Sequence, residues 1–208
     1  MMSDTLIIAG SGGHAKVVAD IASLNGYKEI VYLDDNTDVI NKPFEFGRVL
    51  GTTKDIDRFN CDVFVAIGDA KVRKELIDYY LIEKRRNLIS LIHPSAVIGN
   101  GVLIDNIGVV VMPGVVINNG SQIMRGSIIN TCSSVDHDCY VGEYCHIAVG
   151  AHLCGNVLLN DNSWIGAGAT IINNVSLARG VTIGAGAVVI EDVNESGIYV
   201  GVPAKRLR

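Results

Sequence analysis

From Val111 onward the chain repeats every six residues. Val111, Ile117, Ile123, Ile129, Val135, Val141, Ile147, Leu153, Leu159, Ile165, Ile171, Leu177, Ile183 and Val189 are aliphatic at all fourteen positions, and no insertion breaks the count. Four residues after each stands a smaller side chain, in order Val115, Ser121, Ser127, Ser133, Cys139, Cys145, Ala151, Val157, Ser163, Ala169, Val175, Val181, Ala187 and Val193. The residue before the small one is Gly or Asn in ten of the fourteen hexads, the types that tolerate a positive φ at a tight corner. Each hexad is thus one short strand and one corner. A period of six fits neither an amphipathic helix nor a flat strand, but it fits a β-solenoid whose coils stack about 4.8 Å apart with ladders of inward side chains.

The pattern resembles the hexapeptide repeat of the left-handed parallel β-helix acyltransferases. That resemblance implies three hexads per triangular coil, so that residues eighteen apart stack, and it alone implies the left hand, since the usual crossover rule favours the other. Ile98 and Ile104 already fall six apart, and one extra residue near Gly108 to Val110 shifts the frame before the long run, so the prism is expected to start near Pro94. After Val193 the repeat ends and Gly197 to Arg206 reads as a basic tail.

The N-terminal part has a different grammar. Thr5 to Ala9 reads as a buried strand, then comes Gly10-Ser11-Gly12-Gly13-His14-Ala15-Lys16, then an apolar-periodic helix through Val17, Val18, Ile21, Ala22 and Leu24. Strand, Gly-rich turn and helix is the arrangement in which N–H groups at a helix start hold phosphate, and Gly10-x-Gly12-x-x-Ala15 matches the relaxed dinucleotide fingerprint. Such turns also serve merely to pack helix on strand. A second strand, Glu29 to Leu33, ends in Asp34-Asp35, about where a Rossmann-type unit places its ribose or base acceptor. A third, Val63 to Ile67, enters Gly68-Asp69 and a helix expected to run through Glu83. Residues 1–86 are therefore expected to form a Rossmann-like α/β domain that binds a nucleotide through Gly10, Gly12, Gly13, His14, Asp34, Asp35 and Gly68, and residues 87–208 the β-helix with its tail.

Length and composition set the outer bounds. The 208 residues suffice for two modest domains. A net charge of −5 offers no nucleic-acid surface. The start, Met1-Met2-Ser3-Asp4, lacks a basic leader-like region, and its apolar run is too short to span a membrane, so a cytoplasmic protein is expected. Five cysteines without a C-x-x-C pair argue against a disulfide framework, and Cys139 and Cys145 occupy small inward positions where a thiol replaces Ser or Ala.

The corner rule fails at three successive hexads, where Cys132, Asp138 and Tyr144 replace Gly or Asn. Local rules that break together mark candidate functional sites. Between them lies Asp136-His137-Asp138, with His146 and His152 just beyond. A corner histidine points outward and, oriented by a flanking carboxylate, can act as a general base; the bland alternative is a solvated polar corner. Gly155, eighteen residues on, should stack beside His137 and offer an unobstructed N–H to a developing oxyanion. Three nearby histidines also invite a zinc site of the β-helical hydratase kind, although their spacing puts His146 and His152 on different faces of one prism.

Gly12-Gly13-His14-Ala15-Lys16-Val17-Val18, Asp34-Asp35, Gly68-Asp69, Val135-Asp136-His137-Asp138-Cys139, His146, Gly155 and Gly201-Val202-Pro203-Ala204-Lys205 together resemble the NeuD/PglD family of bacterial sugar acetyltransferases. The resemblance implies acetyl-CoA as co-substrate, His137 as base with Asp138 behind it, acetyl-CoA contacts at His146, Gly155 and Lys205, no metal, and a homotrimer with sites between subunits. The family often has Glu where this chain has Asp138, one methylene shorter, which leaves Asp136 as an alternative support. The acceptor expected is a UDP- or dTDP-linked 4-amino-4,6-dideoxy sugar acetylated on nitrogen. O-acetylation of sialic acid, a zinc hydratase and a non-catalytic nucleotide-binding scaffold are the alternatives.

Overall fold

The computed structural model describes residues 4–207. Met1 to Ser3 of the segment expected to lack a leader, and Arg208, lie outside the described residues. Contacts divide the chain into two compact units, one reaching to Pro94 and taking in Asn106–Gly108, the other made of Ser95–Asp105 and the chain from Val109.

In the first unit a five-stranded sheet is built from β1 (Thr5–Ala9), β2 (Glu29–Leu33), β3 (Pro43–Phe44), β4 (Gly47–Gly51) and β5 (Asp62–Val65), in the order β3-β4-β2-β1-β5. All pairings are parallel except the β3–β4 edge hairpin. Leu6, Ile7 and Ile8 are wholly buried, as expected of a parallel strand covered on both faces. Helix α1 (Gly13–Leu24) follows β1 and α2 (Ala70–Asp78) follows β5. The direction of strand addition reverses at β1, so the turns after β1 and β5 open one crevice at the carboxyl ends of the strands.

Two details differ from expectation. The hairpin Pro43–Gly51 carries no alternating apolar pattern and was not anticipated. Helix α2 is α-helical only to Asp78; Tyr79–Glu83 continues as a wider π-turn, with Tyr80 buried and its hydroxyl donating to the Thr53 carbonyl at 2.8 Å.

In the second unit the strands are almost all two residues long and stack in parallel at the eighteen-residue interval. Val116 pairs with Ser134, Ser134 with His152, and His152 with Thr170; Gln122 pairs with Tyr140 and Ile128 with His146 on the other two faces. The first coil pairs at nineteen, Val97 with Val116 and Leu103 with Gln122, which is the frame shift seen in the sequence. Ser121, Ser127, Cys139, Cys145 and Ser163 each donate to the carbonyl fifteen residues ahead on the next coil, at 2.6, 2.8, 3.1, 3.3 and 3.2 Å. A thiol at 139 or 145 thus does the hydroxyl's work of tying one coil to the next.

Thirteen of the fourteen corners have φ between 54° and 78°. Cys132, Asp138 and Tyr144 obey the same backbone geometry as the glycines, so the exceptions are exceptions of side chain and not of conformation. The tail is more ordered than the sequence suggests: Gly197–Val200 pairs with Val181–Ile183 and folds back antiparallel on Lys205–Arg206. Its cations are paired, Lys205 with Glu191 at 3.1 Å and Arg206 with Glu195 at 2.6 Å. Among the described residues no helix is long and apolar enough to cross a membrane.

The inward ladder carries the stability of this unit. Leu159 is fully buried between Val141 and Leu177, so Leu159→Ala should cost about 2–5 kcal/mol, read as a lowered midpoint in urea denaturation with an unchanged slope.

Candidate active site

His137 stands on the corner between the face holding Ser134–Val135 and the face holding Tyr140–Val141, its side chain 60% exposed. Asp138 Oδ2 lies 2.9 Å from His137 Nδ1. An ionised carboxylate only accepts, so Nδ1 carries the proton and Nε2 is left with its lone pair. That lone pair faces Gly155: a Cβ there would stand 2.5 Å from Nε2 and 2.7 Å from Cε1. The stacking expected from the eighteen-residue interval is therefore present, and only glycine at 155 leaves room for the imidazole.

Asp136 is not the carboxylate on the ring nitrogen. Its Oδ1 accepts from the Asn118 amide and from the His137 N–H, both at 2.8 Å, and these bonds, the Asn118 amide first, lower its pKa. The His137 pKa is raised, chiefly by the bond to Asp138 and then by the charge of Asp136. The arrangement provides a neutral, oriented imidazole above the pKa, with an acceptor nitrogen over a bare backbone.

His146 and His152 do not join this site within one chain. His146 sits on the face with Ile128 and Trp164, which lies opposite the His137 corner; it stacks on the Trp164 ring at 5.3 Å and 15°, with Nε2 3.1 Å from the Asn130 amide nitrogen. His152 Nδ1 lies 2.8 Å from the Ser134 hydroxyl oxygen. Among the described residues no three His, Cys, Asp or Glu side chains converge as a metal site would require. Lys205 is engaged with Glu191.

In the first unit a cavity of about 460 Å³ is lined by Gly10, Ser11, Gly12, Gly13, His14, Asp34, Asp35, Thr53, Ala66, Ile67, Gly68 and Val72. All seven residues expected to hold a nucleotide line it. Their parts differ. A Cβ on Gly10 would meet the Ala66 carbonyl oxygen at 3.0 Å, so this glycine lets strand pass turn. Gly12, Gly13 and Gly68 have nothing within 4 Å of a Cβ, which is open space and not packing. Gly12 caps α1 without a side-chain bond and no acidic residue stands in the first turn, so the N–H groups there are available to an anion.

The two carboxylates are less available than a strand end suggests. Asp34 Oδ2 accepts from the Ser11 N–H at 2.7 Å and the Ser11 hydroxyl at 2.6 Å, and Oδ1 from the Asn36 N–H at 2.9 Å. Burial opposes its ionisation, but the bonds from Ser11 and Asn36 outweigh it and the pKa is lowered. Asp35 Oδ1 accepts from the Thr53 N–H at 2.9 Å and hydroxyl at 2.8 Å. Asp34 thus ties the Gly-rich turn to β2, and Asp35 ties the end of β2 to Thr53.

A family described as the PglD N-terminal domain matches residues 5–80, and one described as the bacterial transferase hexapeptide (six repeats) matches residues 156–191. GDP-perosamine N-acetyltransferase of Escherichia coli O157:H7 is 33% identical over 103 residues, which spans 50% of this chain and 46% of that protein. The acetyltransferase domain of PglB from Neisseria gonorrhoeae FA1090, solved in complex with acetyl coenzyme A, superposes with a TM-score of 0.91 at 38% identity, covering 99% of this chain and 100% of that one. A mutant of perosamine N-acetyltransferase from Caulobacter crescentus, solved with CoA and GDP-perosamine, gives 0.87 at 34% identity, covering 98% and 97%.

The chain belongs to the NeuD/PglD-like family of sugar acetyltransferases. It is an acyltransferase with a Rossmann-like domain and a left-handed β-helix. Two of the residues that hold the cavity lining in place, Ser11 and Thr53, carry no sequence signal of their own. Ser11 and Thr53 hold the paired carboxylates from 23 and 18 residues away. Arg73, wholly buried, donates to the Ile67 and Gly68 carbonyls at 2.8 and 2.7 Å and so fixes the turn that lines the cavity. An arginine on the first turns of a helix after Gly-Asp is the signal that could have found it.

His14 lends this sugar acetyltransferase a pH-dependent stability. Burial, and then the Arg73 charge, lower its pKa to about 4, and its Nε2 is buried without a hydrogen-bond partner. In the unfolded chain the imidazole takes up its proton near 6.5. The stability is therefore full above that value, falls as the pH drops from 6.5 toward 4, and levels off below, a loss on the order of 3 kcal/mol. Urea unfolding from pH 7 to 4 should show this decline in the wild type and lack it in His14→Gln.

Proposed function

We propose that this acetyltransferase moves the acetyl group of acetyl-CoA to the amine of a nucleotide-linked 4-amino-4,6-dideoxy sugar carried on UDP or dTDP, with His137 as general base. The observation that carries the reading is the pair of contacts on one imidazole: Nδ1 held by Asp138 and Nε2 laid over Gly155. Relatives that span the whole chain are named for acetyl transfer or perosamine N-acetylation and were solved with acetyl coenzyme A or with CoA and GDP-perosamine.

The amine nitrogen attacks the thioester carbonyl carbon, forming the C–N bond as its proton passes to His137 Nε2. The Gly155 N–H stabilises the tetrahedral oxyanion. Collapse breaks the C–S bond, the sulfur leaves as CoA thiolate, and the imidazolium returns the proton to it. Asp138 keeps the proton on Nδ1 at the outset and stabilises the imidazolium between the two transfers. The Gly-rich turn at the start of α1 holds the diphosphate, with His14 and Asp35 on the cavity wall beside it.

A homotrimer completes the site in this reading. His146 lies on the prism face opposite the His137 corner, so a pocket that uses both draws them from two subunits. The second wall also excludes water from the thioester. Light scattering is expected to give three chains, and an active monomer would contradict the arrangement.

His137→Ala should lower kcat about 10²-fold or more with little change in acetyl-CoA affinity. Because the neutral imidazole is the base and its pKa is raised, kcat/KM in the wild type should fall on the acid side through a value above 6.5. Substrate assignment is tested by CoA release with UDP-, dTDP- and GDP-linked 4-amino sugars, with the same sugar lacking its carrier, and with sialic acid. Unchanged kcat/KM without the nucleotide, or O-acetylated product alone, would replace this acceptor with a sialic-acid-like one.

A further inference from the structure

Beneath His137 and Asp138 lies the corner one coil earlier, Asn118, Asn119 and Gly120. The Asp138 N–H donates to the Asn119 carbonyl at 3.0 Å, and the Asn118 amide holds Asp136. Gly120 acts through what it lacks. A Cβ there would stand 2.5 Å from Asp138 Oδ1 and 3.5 Å from its Cγ, and the other oxygen of that carboxylate is the one 2.9 Å from His137 Nδ1. A methyl group at 120 displaces Oδ1, and a rigid planar carboxylate cannot move one oxygen without the other. The nearest backbone atom, Asp138 N, is 3.7 Å away, so the steric clash falls on the carboxylate, over and above the strain that any side chain meets at a corner with φ +78°.

Corner geometry alone does not require glycine here. Farther along the same prism edge, Asn156 and Asn174 adopt φ of 59° and 62°, with the Asn156 amide donating to Asn174 Oδ1 at 2.9 Å. Asparagine therefore serves this edge at 156, where the residue one coil ahead is Asn174 and not a carboxylate. The charged groups against the imidazole are Asp138 and Asp136; the coil ahead presents Gly155 and the coil behind presents Asn118 and Asn119, all uncharged.

We propose that Gly120 is a positioning residue for the acid–base pair, its missing side chain leaving the Asp138 carboxylate in the orientation that fixes the His137 tautomer. The inference rests on the reading of His137 as general base. It also assigns a second duty to the eighteen-residue stack: Gly155 makes room for the ring and Gly120 for the carboxylate behind it.

The test follows His137 by imidazole NMR titration of the full chain, alongside the pH–rate profile with acetyl-CoA and the nucleotide amino sugar. Gly120→Ala should bring the His137 pKa down toward the ordinary 6.5 and lower kcat about tenfold or more at unchanged KM for acetyl-CoA. Gly120→Asn carries the same Cβ on a residue type that suits the corner, and should reproduce both effects in a fully folded protein. The control is Gly180→Ala, whose φ is +70° and whose nearest neighbour is 3.8 Å away; it bears the corner strain without the clash and should titrate as the wild type. A wild-type titration in both Gly120 variants, an equal shift in Gly180→Ala, or lost activity with an unshifted titration would overturn the proposal. Normal turnover in folded His137→Ala would instead remove the base reading, while the NMR titration still decides whether Gly120 sets the Asp138 contact.

Discussion

The hydrogen bonds that stack one coil on the next are the constraint from which the second unit follows. His146 N–H donates to Ser163 O, Ala148 N–H to Ile165 O, and His152 N–H to Ala169 O, all between 2.8 and 2.9 Å, and the buried hydroxyls and thiols repeat the tie from the inside. Because strands of two residues have little pairing of their own, the register is held by repetition, and a slip of one residue would turn every inward aliphatic outward. The left-handed corners run against the preference of L-residues by about 1–2 kcal/mol each where the residue is not glycine. That cost is tolerated because each corner sends an aliphatic such as Ile147 or Ile165 into a ladder that is wholly buried.

A rigid register turns sequence distance into spatial position. His137 meets Gly155 because they are eighteen apart, and Asp138 lies over Gly120 for the same reason. Aspartate suits position 138 on two counts: it is among the residues that visit positive φ, and its short side chain folds back one residue to reach Nδ1. Asp136 has a separate task. Two bonds already occupy its Oδ1, so its charge acts on the imidazole through space while Asp138 acts through the hydrogen bond.

How much of this could be read beforehand depended on whether the cause was periodic. The coil length, the corner exceptions at 132, 138 and 144, and the His137–Gly155 contact follow from counting. The extra residue near Gly108 to Val110 was visible because it broke the count, and the nineteen-residue pairings confirm it. The β3–β4 hairpin, the strand formed by Gly197–Val200 and the π-turn after α2 depend on distant partners that no local pattern announces. Asp34 and Asp35 show the limit most clearly. A carboxylate at a strand end carries no sign in sequence of the turn it grips, and the bonds from Ser11 to Asp34 and from Thr53 to Asp35 emerge only from the folded chain.

Glycine shows why one residue type cannot be given one meaning. Gly10 lets a turn pass a carbonyl at a distance that a side chain would violate; Gly12, Gly13 and Gly68 border open cavity; Gly120 and Gly155 clear space for Asp138 and His137 on neighbouring coils. In the first case the missing Cβ serves packing, in the second it keeps a cavity open, and in the third it permits a geometry elsewhere. Only the third class is invisible within its own hexad, since each glycine there is defined by a side chain one full coil away. The geometry of such a corner is therefore specified by columns as much as by motifs: the imidazole and its carboxylate lie on one coil, and the glycines that leave room for them lie on the coils before and after it.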